Sequence, residues 1–125
     1  MSDAAVTTLL DTAIAAAKGG RAPMDELFRA LLAAELAIPS AGEVMADGSG
    51  FQPVLFDKAG VPMVACFTSR ERMAGLVDLA PYALMMNGRA FLSRVPPGHG
   101  VVVNPGAAEG FDISPEGLAR VLAEF

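Results

Sequence analysis

The chain holds one cysteine and one histidine in 125 residues, and each scarcity removes a class of chemistry. A lone Cys66 cannot close an internal disulfide, which fits a reducing compartment. A lone His99 has no second histidine and no spare cysteine with which to build a transition-metal set. Cations are also scarce: nine Lys and Arg stand against fourteen Asp and Glu, for a net charge of −5. Generic nucleic-acid binding is excluded on that balance, because phosphate contacts need clustered Lys and Arg. No apolar run approaches the ~20 residues that span a bilayer. The start "MSDAAVTTLLDTAIAAAKGG" carries Asp3 and Asp11 where a signal peptide has a basic head and an unbroken apolar stretch. Repeats, linkers and low-complexity tails are missing too. These absences lead to the expectation of one cytoplasmic domain, 1–125, with no membrane or nucleic-acid partner.

What remains is apolar bulk. The chain is 53% hydrophobic and 18% charged, far too apolar for a disordered segment. A chain of this size buries roughly two-thirds of its unfolded surface around one core. Alanine accounts for part of that content, so the seven Phe and seven Met must supply much of the core volume.

Val6, Leu9, Leu10, Ala13, Ile14 and Ala17 recur at helical spacing and predict a first helix that Gly19-Gly20 ends. After Pro23, Met24, Leu27, Phe28, Leu31 and Leu32 repeat the pattern, with Asp25 and Glu26 near the positive end of the dipole. A short strand is expected at 36–38, followed by an exposed loop through "SAGEVMADGSG". "FQPVLFD" and "VPMVACFT", separated by "KAG", read as a β-hairpin whose prolines 53 and 62 belong at strand starts or edges. Ser69 is placed to cap a helix through Met73, Leu76 and Val77. Tyr82 to Met86 reads as a strand, with a short helix before Pro96. Val101 to Val103 and Phe111 to Ile113 read as two brief strands, and Ser114-Pro115 opens a terminal helix with Leu118, Val121 and Leu122 inward. The fold class expected is α+β: a small mixed β-sheet packed with two N-terminal helices and a C-terminal helix.

Candidate chemistry is thin. Cys66 lies in the apolar run "VPMVACFTS" and is expected to be buried in a strand, away from the electropositive setting a catalytic thiol needs. His99, in "PPGHG", reads as a loop histidine. Arg70, Arg72, Arg89 and Arg94 concentrate four of the nine basic residues within 25 positions and form the best candidate binding surface. Arg forks recognise carboxylates and phosphates, and Ser69 with Arg70 at a helix start suits an anion. The ordinary alternative is a solvated, ion-paired helix face. The four are not expected to share one catalytic pocket. The acidic residues lack calcium-loop spacing, so no metal and no cofactor are assigned. Asn104-Pro105-Gly106 reads as a structural corner: Asn104 extended before proline, Pro105 fixing φ, and Gly106 taking the positive φ of a type II turn. No basic residue lies between Val101 and Ala119 to make that corner an anion site.

Two N-terminal helices leading to "LAIPS", the paired strands of "FQPVLFDKAGVPMVACFTSRERM", and the corner and helix of "GHGVVVNPGAAEGFDISPEGLARVL" occur in an order that resembles the N-terminal domain of the SseB (enhanced serine sensitivity) family. The resemblance covers nearly the whole chain. It implies an α+β domain of a cytoplasmic bacterial protein, and it brings no catalytic residues to carry over. The second domain of longer relatives is expected to be absent. The leading expectation is a non-enzymatic protein-interaction or regulatory module with an unidentified protein partner, a homodimer being compatible. The alternative is a small enzyme or anionic-ligand binder using the 70–94 segment with Cys66 or His99.

Overall fold

Thr8 starts helix α1 (Leu9–Lys18) with a reciprocal cap: its hydroxyl accepts from the Asp11 backbone N–H at 3.0 Å, and the Asp11 carboxylate accepts from the Thr8 N–H at 2.9 Å. The computed structural model describes residues 8–125, so Val6, assigned above to this helix, lies outside the described residues. Leu10 and Ile14 are buried as expected, but Leu9 is 92% exposed. Each residue advances about 100° around a helix, which puts Leu9 and Asp11 on opposite flanks of Leu10. The buried stripe leans toward Asp11, so a carboxylate is buried and a leucine is not. Helix α2 (Met24–Ala33) packs beside α1 and buries Leu27, Leu31 and Leu32, leaving Met24 half exposed at its first turn.

Strand β1 (Glu35–Ser40) extends the expected 36–38 segment by a residue or two at each end. The hairpin then forms from β2 (Leu55–Lys58) and β3 (Val61–Cys66), whose two-residue loop is Ala59-Gly60. The stretch expected as a helix capped by Ser69 is instead a 3-10 turn, Glu71–Leu76. The Ser69 hydroxyl is buried without a hydrogen-bond partner and caps nothing. Six residues with Gly75 among them offer too little helix propensity to sustain an α-helical ladder. Strand β4 (Tyr82–Asn87), helix α3 (Gly88–Ser93), strands β5 (Gly100–Val103) and β6 (Phe111–Ile113), and helix α4 (Pro115–Glu124) follow. Ser114 caps α4 by accepting from the Gly117 N–H at 3.0 Å.

The strands make two ladders. β1 and β4 pair antiparallel, while β2, β3, β5 and β6 form a four-stranded mixed sheet in that order. β3 and β5 run parallel, with Val64 opposite Val101 and Cys66 opposite Val103. The ladders meet where Phe67 exchanges backbone hydrogen bonds of 2.8 and 2.9 Å with Ala37. Side-chain alternation along β3 therefore serves two cores. Val64 and Cys66 join Leu10, Ile14, Leu31, Leu36, Ile38, Val101, Val103 and Leu118 under the helices. Ala65 and Phe67 face the other way, into a smaller cluster with Ala37, Val54, Met73 and Ala80 beneath the 3-10 turn. Each fully buried Leu, Ile, Val or Phe contributes about 1.5–3 kcal/mol. Among the described residues no helix is long and apolar enough to cross a membrane.

Candidate functional site

The corner after β5 has the expected backbone path and an unexpected interior. Ala107 N–H closes the turn onto the Asn104 carbonyl at 3.0 Å, with Gly106 at φ 83°. Asn104, expected in an extended conformation, has φ 50° in the left-handed region, where asparagine is among the few non-glycine residues tolerated. Its buried side chain explains the departure. The amide oxygen accepts from Thr68 N–H at 3.0 Å and the amide nitrogen donates to the Glu109 carbonyl at 2.8 Å, which fixes the amide's orientation. The nitrogen also lies 3.3 Å from Asp11 Oδ1.

Asp11 is the centre of this buried cluster. Its Oδ1 accepts from the Thr68 hydroxyl at 2.6 Å and faces Arg72 Nε at 3.4 Å. Arg72 Nη2 also reaches Glu109 at 3.4 Å. Burial by itself pushes the Asp11 carboxyl up. Bonds from Thr68 and Thr8, together with the Arg72 guanidinium, outweigh that penalty and hold it below its ordinary value. Lys18 Nζ donates to the Ala108 and Gly110 carbonyls at 2.9 and 2.8 Å. Folding thus brings two cations to a corner that has none nearby in sequence. Both are engaged by carboxylates or carbonyls, so the cluster ties α1, the end of β3 and the β5–β6 loop together. Sequence reasoning missed it, although Thr8-x-x-Asp11 is a capping-box signature and Asp11 sits three residues before Ile14 on the apolar stripe.

The four arginines do not converge. Arg72 belongs to the buried cluster and is largely enclosed, unlike the solvated face expected of it. Arg89 donates to the Phe125 carbonyl. Arg94 is exposed beside the Met86 sulfur, 3.4 Å away. Arg70 is exposed at the start of the 3-10 turn, which lacks the α-helical N–H array that the Ser69-Arg70 anion site required. Cys66 is fully buried, and burial pushes its thiol far above the ordinary range. His99 lies at the other end of β3, next to the Met63–Gly100 pair, with Nδ1 3.2 Å from the Pro97 carbonyl. Three residue steps of strand, roughly 10 Å, separate the two ends, so the thiol has no imidazole to activate it. Among the described residues no His, Cys, Asp and Glu gather as metal ligands.

The larger concavity lies elsewhere. A groove of about 510 Å³ opens between the 44–51 loop and the β4–α3 corner. Phe51, Leu84, Met86, Phe91 and Val95 line it, with Met45 on the loop and Arg94 and Asp47 contributing charge. Asp47 is turned to its own loop, accepting from Ser49 N–H at 2.9 Å. Arg94 makes no ion pair among the described residues. The groove is therefore an apolar trough with one guanidinium free of any ion pair and a carboxylate engaged by its own loop. Only its Arg94 was singled out from sequence. The rest combines residues far apart in the chain.

The family model described as the SseB protein N-terminal domain matches residues 10–120, and the chain belongs to that family. No curated protein and no solved structure matches it.

Proposed function

We propose that this SseB N-terminal domain is a non-enzymatic interaction module that receives apolar side chains of a protein partner in the groove between the 44–51 loop and the β4–α3 corner. The character of the groove carries the reading. Hydrophobic residues line it, Met45 is 49% exposed on the wall formed by the loop, and its charged groups are not arranged for proton or group transfer. Methionine suits such a surface, because its unbranched thioether adapts to the shape it meets. Arg94 favours a partner segment with a carboxylate beside its apolar anchor. A reducing, bacterial cytoplasm is the setting that goes with this reading, supported by a single thiol kept out of solvent.

The enzyme and anion-binder alternatives find little support in the same geometry. They require Cys66, His99 or several arginines at one place, and these groups lie apart. The test is affinity capture from the native host with the full chain and with a Met86→Lys variant. A partner retained by the wild type and lost by a variant of unchanged melting temperature supports the groove. Retention by Met86→Lys, with loss on Arg70→Ala instead, would move the docking surface away from it.

A further inference from the structure

Strand β4 leaves one edge open. Among the described residues it pairs with β1 alone, and no strand lies along its outer side. Backbone direction follows from the ladder. Gly88 N–H bonds the Ala34 carbonyl at 2.7 Å, and strand groups alternate from there. Met86, Leu84 and Tyr82 thus turn their N–H and C=O toward β1, and Ala83, Met85 and Asn87 turn theirs outward. The other sheet edges carry the charges that discourage strand pairing: Asp57 and Lys58 on β2, and Asp112 on β6. The β4 sequence, YALMMN, has no charge and no proline, and Tyr82 and Met85 are 41% and 37% exposed.

We infer that the outer edge of β4 pairs antiparallel with the same edge of a second copy of this chain. Two observations commit the site to that occupant. First, the outward groups match themselves. With the two-fold axis at Leu84, Ala83 stands opposite the partner's Met85 and Met85 opposite the partner's Ala83, both as hydrogen-bonded pairs. Second, the side chains fit in size. Opposed residues share a face, so the exposed Met85 of one copy lies over the small Ala83 of the other. Beside Ala83 is a hollow of about 120 Å³ lined by Met73, Val77, Ala80 and Pro81 with Arg70 at its side, which takes the methionine end. Pro81 has no N–H to offer and limits the zipper to the strand itself. Val77, exposed at 58% on the wall of that hollow, extends the apolar area on the same side. The Met85–Ala83 contacts lie on the face of β4 opposite the groove, while Leu84 on the axis is shared with the groove wall.

Sedimentation velocity on the full chain, with Leu84→Cys, Ala83→Cys and Met85→Lys variants, tests this. The wild type is expected to be a dimer at about 0.1 mM, and Met85→Lys to weaken it about tenfold or more by setting a charge on the edge. Leu84→Cys, as the non-hydrogen-bonded pair on the axis, brings its sulfur within bridging distance of its mate. Oxidised glutathione should take up the two thiol hydrogens and leave a covalent dimer. Ala83→Cys should stay uncrosslinked, because its own mate lies diagonally across the ladder. Native Cys66 is buried and does not compete. A monomer with no Leu84→Cys bridge, a dimer indifferent to Met85→Lys, or equal bridging by Ala83→Cys would each overturn the inference. So would capture of a strand from a different protein on this edge by a chain that stays monomeric on its own.

Discussion

Asn104 shows how much one side chain settles. Its backbone is held at φ 50°, and its amide satisfies the buried Thr68 N–H and the partly buried Glu109 carbonyl. Removing the amide leaves both unpaired, at about 1–3 kcal/mol each. Asn104→Ala is expected to lose about 3 kcal/mol in urea unfolding, because alanine also bears the left-handed conformation badly. Asn104→Gly should lose about 1 kcal/mol less, since glycine adopts that φ freely. Equal losses would mean that the backbone conformation carries no cost. Arg72→Ala is the companion case. It strips the guanidinium from a buried Asp11 and should cost about 3 kcal/mol by leaving that carboxylate unpaired. The turn itself was legible, because Pro105 and Gly106 each have a local reason to be where they are. The cluster was not: Asp11, Thr68 and Asn104 are 57 and 93 positions apart along the pairs that bond them, and nothing local announces such contacts.

At the scale of elements, order and type were readable wherever periodicity or turn chemistry was strong. Both N-terminal helices, the hairpin, β4, α3, the two late strands and α4 lie close to their expected places. The 70–77 segment failed because a serine before a polar run signals a cap only if the helix is stable enough to need one. The pairing of β1 with β4 rather than with its sequence neighbour was also invisible, since 41 residues separate the strands and no local rule selects the partner. Two substitutions probe the element joints. The hairpin loop holds Ala59 at φ 52° ahead of Gly60, the backbone of a type I′ turn, for which Asn-Gly is the preferred pair. Ala59→Asn should raise stability by about 0.5–1 kcal/mol, read as a higher denaturation midpoint at unchanged slope. Gly88 opens α3 against the end of α2, and a Cβ added there would stand 1.8 Å from the Leu31 carbonyl oxygen. Gly88→Ala must push α3 from α2, and a loss of about 3 kcal/mol or more is expected. A neutral result would show that the two helices slide apart freely.

For the whole molecule, the buried carboxylate links stability to pH. Asp11 joins the helical layer to the sheet, and its bonds to Thr68, Thr8 and Arg72 favour the charged form in the fold. Its folded pKa is therefore lower than the ordinary 3.8 that it regains on unfolding. The sign follows from linkage. Above the unfolded value the carboxylate is ionised in both states and the stabilisation is fully present. As pH falls through the unfolded and then the folded value, the unfolded chain takes up a proton first and the fold loses ground. The chain carries thirteen other Asp and Glu, so acid weakening alone does not identify Asp11. The comparison with Asp11→Asn does. Asparagine keeps the size of the side chain, cannot titrate, and loses the charge that faces Arg72. The variant should be less stable by about 2–3 kcal/mol near pH 7, within the range for breaking a buried pair. That gap should narrow steadily between about pH 5 and pH 2, because only the wild type loses an ionised Asp11 there. Urea titrations of both chains at several pH values measure it directly. A gap that stays constant down to about pH 2 would show that Asp11 acts through shape and hydrogen bonding alone, with its charge contributing nothing to the hold between helices and sheet.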